Sequence, residues 1–270
     1  MPALTAYVRG VGVIGPGISD WFALQAVFAG HAALASAPTA IPPLAVLPAA
    51  ERRRVGNVIK LALATGLQTV AAAAADASSL ATVFASSGGD GANCHAICET
   101  LASDDRLISP TRFHNSVNNA ASGYWGIATG AQAPSSIICA YDGSFAAGLL
   151  EALVQAISEQ RPVLLIAHDA PYPEPLRAVR PIADAFGVGL LLTAQASAAG
   201  QAQITLALTD ETVNSLANAP LEALRQGIPA ARSLPLLACL ARLQRHAETG
   251  RVVLDYLDDV RLAVSVKAAP

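Results

Sequence analysis

The sequence predicts an α/β fold with a largely parallel or mixed sheet, and three observations carry that prediction. Strand, glycine turn and helix follow one another twice, first around Ser86-Ser87-Gly88-Gly89-Asp90-Gly91 and again around Asp142-Gly143-Ser144. The apolar run from Arg161 to Ala167 has the length and composition of a strand buried on both faces. Residues 261–267 alternate, with Leu262, Val264 and Val266 set against Arg261, Ala263, Ser265 and Lys267, as a half-buried strand does.

Taken in order, Tyr7 to Ile14 reads as the first strand, closed by Gly15-Pro16-Gly17. Asp20 is placed to cap a short helix bearing Trp21, Phe22, Leu24 and Phe28. The proline-rich stretch from Ala37 to Pro48 is a loop, and Glu51-Arg52-Arg53-Arg54 opens an alanine-rich helix expected to run to Ala75. That charge cluster reads as a solvated helix start or as a contact for an anionic partner. Leu80 to Ala85 is a strand leading through the glycine turn into a helix ending near Leu101. Ile137 to Tyr141 is a short strand before a helix ending near Glu159, and residues 171–181 form a proline-rich loop. Two uncharged strands, 188–193 and 203–208, flank a Gly/Ser/Gln turn and predict a hairpin, after which the chain is mostly helical to His246.

Composition narrows the function. The 270 residues are 53% hydrophobic and 14% charged, which excludes a disordered chain. About a fifth are alanine, favouring close helix–sheet contacts over an aromatic core. A net charge of −3 offers no field for nucleic acid. No stretch reaches the length of a membrane span, and Met1 to Ala6 lacks the basic and apolar regions of a signal peptide. Cys94, Cys98, Cys139 and Cys239 are too few for a disulfide framework. The expected setting is the cytoplasm.

The most informative segment runs from Phe113 to Tyr141, 29 residues with no Asp, Glu, Lys or Arg where about four would be expected. It holds Asn115, Ser116, Asn118, Asn119, Ser122 and Gln132 together with Phe113, Tyr124 and Trp125. Small polar groups without charge suit a buried loop, and charge depletion with aromatics suits an interface core. Asp142 ends the run at a strand-to-helix junction, the sheet edge where α/β proteins bind ligands. It reads as a helix N-cap or as a functional carboxylate beside a helix N-terminus. Cys139 within the strand reads as a small core residue. Cys94-His95-x-x-Cys98 fails as a zinc site because His95 points about 100° away from the two thiols and no second pair completes a tetrahedron. The 88–91 turn lacks a Gly-Lys-Ser/Thr, and no Ser or Cys sits in a nucleophile-elbow motif.

Pro134-Ser135-Ser136-Ile137-Ile138-Cys139-Ala140-Tyr141-Asp142-Gly143-Ser144 resembles the active-site segment of β-ketoacyl synthases, a Gly-Pro-Ser start leading to a Thr-Ala-Cys-Ser-Ser turn and a helix. Asn118, Asn119, Gly123 and Ile127 resemble the family's preceding Asn…Ala-Gly…Ile stretch, and residues 181–189 its glycine-rich Phe-Asp…Gly segment without the Glu. Aligned on Pro134-Ser135, the family's nucleophilic Cys falls on Asp142. The resemblance spans residues 5–195 and implies a single domain, the N-terminal half of a thiolase-like fold, with 196–270 a reduced, divergent C-terminal segment. An Asp cannot hold an acyl group as a thioester, and the family's His-Gly-Thr-Gly-Thr and Gly-His-x-x-Ala-Ala-Gly motifs are absent.

The pattern resembles a chain-length factor, the nucleophile-free partner of an active ketosynthase, and more narrowly the short ketosynthase-like proteins of aryl polyene and xanthomonadin-type pathways. That implies a heterodimer with a β-ketoacyl synthase, an indirect relation to acyl carrier protein, no cofactor and no metal. It places the dimer strand at Ile137, Ile138, Cys139, Ala140 and Tyr141, and the pocket wall in a loop of Thr111, Arg112, Phe113 and His114. Asn118, Asn119, Tyr124 and Trp125 complete the expected pocket and interface set. Two alternatives stand beside it. One is a free-standing acyl-thioesterase or acyltransferase using Asp142 with His114 or His168. The other is a docking module whose Arg52–Arg54 contact an acidic carrier.

Overall fold

The computed structural model describes residues 4–196 and 202–270. Its strands are β1 (Leu4–Ile14), β2 (Ala81–Ala85), β3 (Ser135–Ile138), β4 (Val163–Asp169), β5 (Phe186–Thr193), β6 (Ala202–Thr209), β7 (Gly250–Leu254) and β8 (Arg261–Lys267). The helices are α1 (Trp21–Phe28), α2 (Ala49–Arg54), α3 (Asn57–Ala72), α4 (Gly91–Ala102), α5 (Pro110–His114), α6 (Ala120–Thr129), α7 (Ser144–Glu159), α8 (Leu176–Val179), α9 (Ala219–Gly227) and α10 (Leu234–His246).

The strands form one mixed sheet in the order β3-β2-β4-β5-β1-β6-β8-β7. Only the β3–β2 and β2–β4 pairings are parallel, so the sheet is mixed rather than largely parallel. Helix α7 and the α9–α10 region cover one face, where Phe145, Leu149 and Leu153 share the larger core with Leu236, Leu237 and Leu240. Helices α3 and α6 cover the other, with Leu61, Leu63, Tyr124 and Trp125 packed on Phe84, Leu164 and Ile166. The central strands β2, β4 and β5 are buried almost throughout, which is why their sequences are continuous apolar runs.

The close approach of α3 is made by missing side chains. A Cβ on Gly189 of β5 would lie 2.0 Å from Thr69 Oγ1, and one on Gly12 of β1 would lie 2.5 Å from the same oxygen. Thr69 Oγ1 donates instead to the Thr65 carbonyl at 2.9 Å, so the buried hydroxyl is satisfied inside the helix.

Three expectations are corrected here. The 188–193 and 203–208 strands do not form a hairpin: β1 lies between them, with Tyr7 opposite Thr193 on one edge and Gln203 on the other. An 11-residue β1 is long enough to pair along both edges, and inserting it buries two strands where a hairpin would leave an edge. The turn assigned to that hairpin falls in 197–201, outside the described residues, as does Met1–Ala3. The helix expected from Glu51 to Ala75 is broken at Val55, whose extended backbone buries its side chain among the apolar residues below α3. Gly56 follows because a Cβ there would meet Asp90 Oδ2 at 2.6 Å. Lastly, Thr111–His114 is the helix α5 rather than a loop, started by Pro110 at its first turn.

Asp20 caps α1 as its position predicted, accepting from the Ala23 amide at 2.8 Å. The alternation at 261–267 is β8, which pairs with β6 on one side and β7 on the other. Residues beyond 202 therefore extend the same sheet.

Candidate functional site

Strand β3 ends at Ile138, and the chain turns into α7 through a tight elbow. Tyr141 takes up the left-handed conformation, φ 51°, a strained choice for an aromatic residue that costs about 1–3 kcal/mol. The Ser144 hydroxyl holds the turn, donating to the Tyr141 carbonyl at 2.7 Å and accepting from the Ala140 amide at 3.0 Å. Gly143 lets the turn press on the β7–β8 connection, since a Cβ there would sit 2.0 Å from the Tyr256 carbonyl oxygen. The strained residue of a strand-to-helix elbow is where such folds project a reactive side chain. Here it projects an exposed phenol ring, and the Arg180 guanidinium lies 3.7 Å over that ring.

Asp142 is not the N-cap of α7. That place belongs to Gly143, and no side chain caps the helix. The carboxylate turns outward into two arginines: Oδ1 accepts from Arg180 Nη2 at 2.5 Å and Oδ2 from Arg232 Nη2 at 2.9 Å. Bonds to two guanidiniums, in which both partners are charged, outcompete bonds to neutral backbone amides at the helix start, which explains the departure. The chain of pairs continues. Arg232 reaches Asp255 at 3.2 Å, Asp255 accepts from Arg225 Nη1 at 2.9 Å, and Arg225 closes a two-pronged contact with Glu222. Bonding to Arg225 holds the Glu222 carboxyl down at about 2. The network ties the elbow to α9, to the turn before α10 and to the β7–β8 connection. It leaves Asp142 no bond to His114 or His168, correcting the acid–base pairing considered for it.

Behind the elbow lies a buried polar pocket at the ends of β2 and β4. Asp169 Oδ1 accepts from the Ser87 amide at 2.8 Å and the Ser87 hydroxyl at 2.6 Å, while Oδ2 faces the Ala230 amide without closing a hydrogen bond. Burial pushes this carboxyl up to about 6, against the lowering pull of Ser87. Burial also presses His168 down to about 4, so its ring is neutral. Cys139, expected inside the strand as a core residue, lies past its end and is exposed, its thiol donating to the Ser86 carbonyl at 2.9 Å. Partial desolvation, with the nearby Asp169 carboxylate, raises that thiol and disfavours the thiolate.

The other predicted site residues divide. Thr111 and Arg112 line a cleft of about 750 Å³, and Asn118 lines a small cavity at its inner end. Phe113 is 68% exposed, and His114 stands edge-on to Tyr124 with ring centres 6.4 Å apart. Tyr124 and Trp125 are buried in this chain's own core, with the Tyr124 hydroxyl donating to Asn115 at 3.1 Å, so neither reaches an outer surface. A flat helix face against a sheet needs large side chains to fill it, and these two supply them. Asn119 is exposed at the start of α6, and Ile137 and Ile138 are half-buried in β3. Cys94 and Cys98 lie exposed on α4, whose His95 contacts Glu99 at 3.3 Å.

Strand β3 is also a free edge of the sheet. Ser135-Ser136-Ile137-Ile138 carries no charge and no proline, the usual guards of an unpaired strand. At the opposite edge β7 bears Arg251, paired with Glu211 at 2.5 Å. The uncharged run from Phe113 to Tyr141 includes this unguarded edge, and Phe113, Val117, Ile127 and Tyr141 in it are exposed.

Sequence reasoning missed Arg180, Arg232, Arg225, Asp255 and Glu222. In a chain with 14% charged residues, their grouping within the last hundred residues was the available signal.

The sequence model of the β-ketoacyl synthase N-terminal domain matches residues 26–251. No curated protein matches the chain. Among solved structures, the fold is shared with a ketosynthase (ApeO) in complex with its chain length factor (ApeC) from Xenorhabdus doucetiae. That match has 24% identity and a TM-score of 0.72, covering 97% of this chain and 99% of that one. The ishigamide ketosynthase/chain length factor matches at 14% identity and TM-score 0.75, over 98% of this chain and 100% of that one. A type II polyketide ketosynthase in complex with its acyl-carrier protein, AntDE:AntF, matches at 12% identity and TM-score 0.77, over 98% and 99%. At these identities the likeness is one of fold. Among the described residues no helix is long and apolar enough to cross a membrane.

Proposed function

The chain belongs to the β-ketoacyl synthase N-terminal domain family, and from that premise we propose that it is a non-catalytic, chain-length-factor-like subunit that pairs with an active ketosynthase. The observation that carries this reading is the elbow. A condensing enzyme needs a thiolate at the start of this helix to take the acyl group. Tyr141 and Asp142 occupy the turn instead, one stacked under Arg180 and the other bonded to two arginines. The only thiol nearby, Cys139, is held as a neutral donor to a backbone carbonyl. In this reading the chain works in the cytoplasm, shapes the acyl pocket of its partner and meets acyl carrier protein only through the complex. Aryl polyene synthesis is the pathway class that the sequence resemblance suggests.

The partner surface in this reading is β3 with the uncharged segment around it. An open strand edge with two isoleucines and no gatekeeping charge gains backbone hydrogen bonds and apolar burial when a second strand pairs with it. Co-expression with a β-ketoacyl synthase of the same organism, followed by native mass of the purified product, tests the proposal. A one-to-one heterodimer is expected. A well-behaved free chain that ignores the ketosynthase would overturn it. As a second arm, Asp142→Cys should give the isolated chain no malonyl-dependent elongation, and measurable elongation by that variant would remove the degenerate-subunit reading.

A further inference from the structure

Cys94 and Cys98 stand four residues apart on α4, so their side chains share one face of the helix. Both are free thiols and both are exposed, which leaves an open path from solvent. Partial burial, then the Cys98 thiol beside it and the Asp90 carboxylate, push the Cys94 thiol above its ordinary value. The two sulfurs are close enough to act on each other.

The spacing discriminates between the two chemistries open to a pair of thiols. On a regular helix the Cβ atoms of residues four apart lie about 5–6 Å from each other. A disulfide needs roughly 3.5–4.5 Å between those atoms, so closing one would distort α4. A soft ion between the sulfurs needs no such approach. Two metal–sulfur bonds of about 2.3 Å, set in line, hold their sulfurs ~4–5 Å apart. The undistorted helix suits the ion.

The surroundings fix the number of ligands. His95 is the neighbouring imidazole, but its Nε2 faces Glu99 Oε1 at 3.3 Å. Asp90 Oδ1 accepts from the Asn93 amide at 3.0 Å, at the start of the helix. Among the described residues no group of three or more His, Cys, Asp or Glu side chains could hold a metal. Zinc takes three or four protein ligands, so two thiols alone do not make a zinc site. Thiolates select cuprous copper, and that ion is satisfied by two sulfurs in line.

We propose that Cys94 and Cys98 bind one cuprous ion per chain, held in line between their two sulfurs. Each thiol releases its proton to solvent as its sulfur bonds the metal. One cuprous ion and two thiols thus give a singly negative bis-thiolate and two protons, and no electron is transferred. The site does not depend on the subunit role proposed above.

The test is titration of cuprous ion, kept reduced by ascorbate in the absence of oxygen, into the purified full chain. A chromogenic cuprous chelator competes for the ion, and native mass reports the stoichiometry. One ion on one chain is expected. Cys94→Ser and Cys98→Ser should each weaken binding by about tenfold or more, because each leaves a single sulfur. Cys139→Ser removes the other exposed thiol and should leave the affinity unchanged. Zinc ion should bind about tenfold more weakly or worse. Unchanged thermal stability in the serine variants separates loss of binding from loss of fold. Absence of binding at one equivalent would overturn the proposal, as would undiminished binding by Cys94→Ser or Cys98→Ser, or zinc held as tightly. A loss in Cys139→Ser as large as in Cys94→Ser would mean an adventitious ion only. One ion bridging two chains would overturn the proposal in favour of a site between copies.

Discussion

Asp142 and Arg232 meet at 2.9 Å although 90 residues separate them in sequence. The bond joins the elbow before α7 to the turn that leads into α10, and Arg180 completes the clasp on the other carboxylate oxygen. The two bonds fasten the middle of the chain to segments 38 and 90 residues further on.

Removing that fastening should loosen the fold. Asp142→Ala leaves two half-buried guanidiniums without their shared partner and is expected to cost about 1–3 kcal/mol in urea unfolding. Arg232→Ala should cost a similar amount. The double variant should cost less than the sum, with a coupling of roughly 0.5–3 kcal/mol. Strict additivity would mean that the pair contributes nothing.

The free edge is open to a direct test. Ser135→Lys places a charge on the exposed first residue of β3, as natural edge strands do to prevent pairing. It gives up the bonds that Thr82 Oγ1 and Ser122 Oγ make to Ser135 Oγ, so the chain itself should lose about 1–3 kcal/mol. Affinity for the ketosynthase should fall by about tenfold or more. Undiminished affinity would move the partner surface away from β3.

The buried pair His168 and Asp169 gives a pH signature. Asp169 titrates near 6 in the folded chain and near 3.8 unfolded, so its stabilising contribution is full below about pH 4 and is lost as pH rises through 6. His168 runs the opposite way, its folded value of about 4 against 6.5 giving stability that is lost as pH falls through 4. Between pH 4 and 6 the two offset each other. Asp169→Asn removes the falling contribution, so its stability relative to the parent chain should rise by up to about 3 kcal/mol across that window. A difference that does not change with pH would mean an ordinary carboxyl at Asp169. Arg180 is the charged neighbour whose field limits the shift.

Helix α3 depends on the absence of a methyl group. Gly189→Ala should destabilise by about 1–3 kcal/mol, since its Cβ would overlap Thr69 Oγ1. Adding Thr69→Ala should recover part of the loss, because the hydroxyl is the 2.0 Å contact while the Thr69 Cβ lies at 3.1 Å. No recovery would mean that the clash is borne by the backbone instead.

Much of this was legible along the chain because local signals matched the final structure. Asp20 caps α1, the apolar run of β4 is buried on both faces, and the alternation of β8 matches its half-buried place. The uncharged run from Phe113 to Tyr141, expected as a buried loop or an interface core, contains both the buried Tyr124 and Trp125 and the edge strand β3. Where the reading failed, a distant partner had outweighed a local preference. Gly143 and two arginines displaced Asp142 from the cap, the burial of Val55 broke the helix expected from Glu51 to Ala75, and β1 separated the strands of the expected hairpin.

The sequence by itself determined the α/β class, the family resemblance and the lack of a thiol at the turn, because each depends on residue type and short-range order. Only the tertiary structure decided that Asp142 is clasped by Arg180 and Arg232 and that Tyr124 and Trp125 fill this chain's own core. Charge pairing and packing act through space between residues tens of positions apart. No periodicity in the sequence records which of them meet.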